Sequence, residues 1–294
     1  MKATVAESLQ VLKDTPAIEQ DMVTQVDWFD DHFYLVRKEP EPLFIPSVTS
    51  KLNASPKPFL ARWRGDVGNR EADLKMTEAQ NKGKRIHNAW FIYNTGGWVI
   101  YNPYERPNYT PEEIADMRNG QLCNGLAVLT AQEEMLAIVK LQKWVETVKP
   151  KFIESEKIVY SLKSMNAGTM DNCLFIEQGE YNINGATPLR IDKSGYYVFD
   201  LKTGNAVDED DAPAQAAIYA EMYTEMTGFE ISGTLICHTN ARTKKGIEGL
   251  ATIYRNKEEM KEDLQYFYDV AKVWEKKMSR EKPKYFTFPS LIKL

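Results

Sequence analysis

The sequence predicts a mixed α/β (α+β) architecture: a central mixed β-sheet flanked by helices, with a mainly helical region on its N-terminal side. Three observations lead there. At Lys149 and Pro150 the apolar period changes from helical to alternating; three β-rich segments then follow in series; and a helix with a glycine stop separates the third from a fourth, ISGTLICHT. With 294 residues, 43% hydrophobic and 27% charged, the chain can bury the core of one elaborated domain or two small ones. The expected division is a lead over residues 1–45, a mainly helical region over 46–150 and a sheet-centred core over 151–294.

The lead reads as irregular, with an acidic aromatic patch over Asp27–Asp31 and a proline-rich run, KEPEPLFIPS, that favours an extended connection. Helical text begins at Ser47, with Ser47 or Thr49 as its cap, breaks at Pro56 and Pro58, and continues as a long charged helix through GKRIHNAWFIY. The tract TGGWVIYNPYERP is either a turn between short strands or a loop. From Ala131 to Val148, Met135, Ile138, Val139, Val145 and Val148 recur at the spacing of a buried helix.

Strands are expected at Lys157–Leu162, Gly168–Ile176 and Tyr196–Leu201, an antiparallel meander. Asp211 then caps a helix that carries Pro213 in its first turn and stops at Gly228. After ISGTLICHT, a strand at Gly249–Tyr254 and an amphipathic helix from Glu258 to Met278 complete the body.

Several function classes are excluded or disfavoured by composition. No stretch reaches the roughly 20 apolar residues of a membrane span, and MKATVAESLQVLKD has no signal-peptide core, so the expected location is cytoplasmic with no membrane partner. Cys123, Cys173 and Cys237 are widely spaced and form no CxxC pair, which speaks against structural zinc or an iron–sulfur cluster. A net charge of -5 looks unfavourable for a nucleic-acid partner. Basic residues nevertheless cluster at Arg62, Arg64, Lys82, Lys84 and Arg85, and again at Lys276, Lys277, Arg280, Lys282 and Lys284.

The chemistry centres on Asp200 and Lys202. Alternation along the strand YYVFDLK places carboxylate and ammonium on one face, a pairing that serves phosphate chemistry: the carboxylate can hold a hard cation, the lysine can orient water and stabilise phosphate charge. The tripeptide alone arises by chance roughly once in such a chain. A second copy, Asp73-Leu74-Lys75, sits in a charged helical stretch, where residues two apart do not share a face, and reads as surface.

Asp171, in the preceding strand, can share a cation with Asp200, and Glu156, or alternatively Glu154, precedes the strand before that. His87 ends the GKRIH segment one turn after Gly83, whose missing side chain lets that helix approach a neighbour closely. Gln215 and Tyr219 lie on one face of the following helix and can bond or stack on a nucleic acid.

Taken in order, GKRIH, ESEKIVYS, AGTMD, YYVFDLKTG and QAAIY resemble the RecB-type branch of the PD-(D/E)XK nuclease superfamily. FIPSVTSKL and ARWRGDVG are similar to the corresponding region of mitochondrial genome maintenance exonucleases and their phage relatives. The resemblance implies a restriction-endonuclease-like sheet and exonucleolytic hydrolysis of DNA ends, single-stranded DNA above all, in replication, recombination or repair. It implies Mg2+ or Mn2+ held by His87, Asp171, Asp200 and the Leu201 carbonyl, with Glu156, Asp171, Asp200 and Lys202 as the catalytic set. Substrate contacts would fall to Ser47, Thr49, Lys84, Arg85, Gln215 and Tyr219. A helicase or a single-strand-binding protein is the implied partner besides DNA, since GxxxxGK[ST] does not occur in this chain. The alternatives are an endonuclease using the same residues and a catalytically inactive DNA-binding recombination partner.

Overall fold

The computed structural model describes residues 23–28, 31–37, 43–103, 125–183 and 188–278. The proline-rich run over 38–42, Cys123, and Arg280, Lys282 and Lys284 of the C-terminal basic cluster lie outside the described residues.

A five-stranded mixed sheet forms the centre. Its strands are β6 (Lys151–Ser161), β7 (Asn166–Ile176), β10 (Gly195–Lys202), β11 (Ile231–His238) and β12 (Ala251–Asn256), in the order β12-β11-β10-β7-β6. β6, β7 and β10 form the expected antiparallel meander, with a small hairpin, β8 (Gly179–Tyr181) and β9 (Leu189–Ile191), inserted before β10. The only parallel neighbours in this sheet are β10 and β11, because helix α5 (Asp211–Thr227) carries the chain back between them.

Helices cover both faces. On one face α3 (Asn69–Asn94) and α4 (Gln132–Val148) bury Trp90, Leu141 and Trp144 against Leu174, Tyr197, Phe199 and Leu201. This core spans both sides of Pro150, so the helices before it and the sheet after it share one interior. On the other face α1 (Val48–Leu52), α5 and α6 (Lys257–Met278) pack on Val159, Met170, Val198 and Ile236. Helix α4 ends on Lys149 in the left-handed region, and α5 ends on Gly228 in the same conformation, φ 74°.

Two local expectations are corrected, and one left open is resolved. The lead is not irregular: β1 (Val23–Trp28), β2 (Asp31–Val36) and β3 (Leu43–Pro46) form an antiparallel sheet, which packs through Tyr34 and Val36 on Ala167, Ile158 and Tyr160. Asp211 is the first helical residue of α5 and not its cap; the Asp208 carboxylate instead accepts from the backbone N–H of Asp210 and Asp211, at 3.1 and 2.9 Å. In the glycine-pair tract the turn joins α3 to a single strand and not two strands to each other: β4 (Trp98–Tyr101) follows the glycines and pairs in parallel with the more distant β5 (Leu126–Leu129). Ser47 caps α1, its Oγ accepting from Ser50 N–H at 3.0 Å.

The second DLK copy is exposed on α3, where Asp73 pairs with Arg64 of α2 (Pro58–Val67) at 2.6 Å. Among the described residues, no helix is long and apolar enough to cross a membrane.

Candidate active site

The site is built where two strands depart from regular alternation at the same rung. In β6, Glu156 has φ 49°, and the ladder with β7 runs through Ser155↔Asn172 and Lys157↔Met170 with no pairing recorded between them. A left-handed non-glycine residue is costly, and such outliers concentrate at working sites. The consequence is that Ser155 and Glu156, and opposite them Asp171 and Asn172, serve the same side of the sheet, the side covered by α3.

Helix α3 reads these two rungs with residues one turn apart. Trp90 Nε1 donates to Asn172 Oδ1 at 2.8 Å, and Asn172 Nδ2 donates to Ser155 Oγ at 2.7 Å. One turn earlier His87 Nδ1 lies 3.3 Å from Asp171 Oδ1, and ligand atoms of His87, Glu156 and Asp171 all fall within 4.8 Å of one another. The Trp90 rung is buried and neutral, so it locks the helix; the His87 rung is half-buried and ionisable, so it can bind.

β10 contributes through a gap. Its ladder with β7 ends at Phe199↔Asn172, and two residues on, the Leu201 N–H donates to Asp171 Oδ2 at 2.6 Å instead of to a strand. In an extended strand a residue's N–H and C=O project to the same edge, so the Leu201 carbonyl faces that gap as well. Asp200 and Lys202 alternate to the α5 side. There the Lys202 ammonium lies 2.9 Å from Asp200 Oδ2 and donates to Gln215 Oε1 at 2.8 Å, while Gln215 Nε2 donates to the Tyr219 hydroxyl at 3.0 Å.

The charges on the two sides are close enough to act on one another. Burial opposes the His87 imidazolium, but Asp171, with Glu156 and Asp200 behind it, raises its pKa to about 9. Glu156 is pushed up to about 7 by burial and by the Asp171 charge, against the pull of His87. Asp171 is held below the usual carboxylate range: burial opposes this, but His87, the Leu201 N–H and Lys202 prevail. Asp200 is raised, first by burial, with Lys202 opposing and Asp171 adding. Lys202 is raised because Asp200 outweighs the burial of its ammonium.

Set against the sequence expectations, the structure brings together His87, Glu156, Asp171, Asp200, Lys202, Gln215 and Tyr219. Of the two glutamates, Glu156 lies with His87 and Asp171; Glu154 falls on the α5 side, where its charge reaches Cys173 and Tyr223. Among the described residues the set of potential metal ligands consists of His87, Glu156 and Asp171, whereas Asp200, expected as a ligand, is buried and paired with Lys202. Gly83 meets its expectation: a Cβ there would sit 3.2 Å from Thr203 Oγ1, so this turn of α3 rests on the end of β10.

Ser47 and Arg85 are both engaged within the protein. The Ser47 hydroxyl is buried and engaged by Ser50 and Thr49, and the residue bridges to Ala167. Arg85 holds the buried Glu134 through Nε and Nη2, at 2.9 and 2.6 Å. Thr49 and Lys84 are exposed.

Two contributors escaped the sequence reading. Tyr34 of β2 is buried, its hydroxyl 3.0 Å from Thr169 Oγ1, two residues from Asp171, and the Glu156 charge reaches it. It lay in a segment read as irregular. The Trp90–Asn172–Ser155 chain left only one trace, a tryptophan one turn after the histidine. No protein-family model matches the chain, and no curated protein is similar to it.

Gly168, which the resemblance fixed only as a motif letter, has a packing reason. A Cβ there would lie 2.4 Å from Tyr219 Cε1 and 2.8 Å from its hydroxyl. Gly168→Ala is therefore expected to displace Tyr219 and destabilise by about 1–3 kcal/mol, as overpacking does. Chemical denaturation checks it, and an unchanged midpoint would refute the contact.

Proposed function

We propose that this protein is a divalent-metal-dependent deoxyribonuclease that hydrolyses phosphodiester bonds at DNA ends, with single-stranded DNA as its preferred substrate. On the same reading the central sheet belongs to the restriction-endonuclease-like fold, and the protein serves replication, recombination or repair inside the cell. The observation that carries it is the meeting of an imidazole and two carboxylates from α3, β6 and β7, beside an amine held by Gln215.

The donor set fits a hard or borderline cation. Mg2+ takes carboxylate oxygens and keeps several waters, and Mn2+ accepts an imidazole more readily. His87, Glu156 and Asp171 would hold the ion, with the Leu201 carbonyl facing the same gap. When bound, such an ion supplies charge stabilisation to the phosphate and makes water a better nucleophile near neutral pH.

The side chains do the rest. The Lys202 ammonium, fixed between Asp200 and Gln215, would orient an attacking water and neutralise charge developing on the phosphate oxygens. Asp200 keeps that lysine charged and oriented. Asp171, its second oxygen occupied by the Leu201 N–H, presents one oxygen in a fixed direction.

The test uses linear single-stranded, linear double-stranded and circular single-stranded DNA, with Mg2+, Mn2+ or EDTA. Degradation of the linear single strand with either metal, none in EDTA, and an intact circle are expected. Cutting of the circle would make the protein an endonuclease, and no cutting of any substrate would reject catalysis.

A further inference from the structure

Resting on the deoxyribonuclease reading, we infer that a cationic rim around the turn after Lys202, carried by three separate segments, is the surface on which the phosphates of a DNA strand lie as the strand approaches the site. The segments are Lys82 and Lys84 on α3, Lys140 on α4, and Arg242, Lys244 and Lys245 in the connection between β11 and β12.

Their convergence is fixed by contacts. The turn holding Lys82 and Lys84 rests through Gly83 on Thr203. The β11–β12 connection begins with Thr239 N–H donating to the Lys202 carbonyl at 3.0 Å, and Asn240 Nδ2 then donates to Asn205 Oδ1 at 2.8 Å. Lys140 Nζ donates to the Thr239 carbonyl at 2.8 Å and is close enough to Lys82 for the two charges to interact. Ala241 N–H donates to the Gly249 carbonyl, and Thr243 Oγ1 to the Lys245 carbonyl, so the loop carrying Arg242, Lys244 and Lys245 is closed at its base and braced at its tip.

The rim is positive in a chain of net charge -5. Glu133 holds Lys82 at 2.6 Å and Glu248 lies near Lys140, while Lys84, Arg242, Lys244 and Lys245 are exposed. Through Thr239 the rim joins the backbone of Lys202, so a polyanion lying on it is led towards the site. Phosphate contacts of this kind position a strand without reading its sequence.

The test is the salt dependence of binding to a fluorescently labelled oligothymidylate in EDTA, where cutting is absent. Arg242→Ala/Lys244→Ala/Lys245→Ala should weaken binding on the order of 10- to 100-fold and lower the slope of log K against log salt by about 2, since each single-strand phosphate neutralised contributes about 0.7. Lys272→Ala/Lys276→Ala/Lys277→Ala on α6 removes as many charges from another surface and should leave the slope near wild type. Wild-type binding by the loop variant, or equal losses in both variants, would overturn the rim while leaving the nuclease reading standing. Absence of binding by the wild type would overturn both.

Discussion

Lys202→Ala and Asp200→Asn should each lower DNA cleavage by about 10³-fold while leaving oligonucleotide binding in EDTA within a few fold of wild type. The size follows from what is removed: a charge aimed at a phosphate in a partly desolvated site is worth about 10²–10³ in rate when deleted. The two variants differ in stability. Lys202→Ala leaves the Asp200 carboxylate buried and without its ammonium, a change that costs about 3–5 kcal/mol where burial is complete and less here because the lysine is partly exposed. Asp200→Asn removes the buried charge itself and should unfold nearer to wild type.

A third variant separates positioning from charge. Gln215→Ala keeps both charges and frees the amine, so a loss of about tenfold, the scale of outer-shell partners, is expected. Wild-type cleavage rates in both Lys202→Ala and Asp200→Asn would reject the assignment outright.

That this pair could be singled out in the sequence reflects how locally it is encoded. Asp200 and Lys202 stand in one strand, and strand alternation fixes their common side whatever the rest of the chain does. The contrast with Asp73 and Lys75 was equally local, because a charged helical stretch was legible around them. The same holds for α4, α5, α6 and the meander, whose apolar periods announced them.

What stayed hidden depends on departures from period. Glu154 and Glu156 look equivalent to any argument from alternation; the left-handed conformation of Glu156 sends them to opposite sides of the sheet. The same conformation brings Glu156 beside His87 and Asp171, while Asp200 pairs with Lys202 in its own strand. The N-terminal sheet was missed because its strands are short, broken by acidic and proline residues, and stabilised by pairing with one another and by packing on Ile158, Tyr160 and Ala167 far along the chain. With it went Tyr34. Arg85 was read as a substrate contact, and its pairing with Glu134 was hidden because the helix bearing that partner is distant in sequence.

The clustered acids also predict how protons and cations compete. His87 stands at about 9 in the folded protein against an ordinary 6.5, so its contribution to stability is complete below about pH 6.5 and is lost as pH rises through about 9. Glu156 stands at about 7 against 4.5, so its contribution is complete below about pH 4.5 and lost as pH rises through about 7. Asp200 is raised as well and works in the same direction, while the depressed Asp171 gives a contribution already constant above its ordinary range. The protein stripped with EDTA should therefore lose thermal stability steadily from about pH 6 to about pH 9. Both protons must leave before His87 and Glu156 can act as ligands, so cation affinity should climb over the same interval. Saturating Mn2+ or Mg2+ should raise the unfolding temperature more at about pH 8.5 than at about pH 6, since a ligand at a hundred times its Kd adds about 2.7 kcal/mol. His87→Ala and Glu156→Gln should each flatten that dependence. A metal-induced shift that is absent, or identical at both pH values in wild type, would mean that these three side chains do not share a cation.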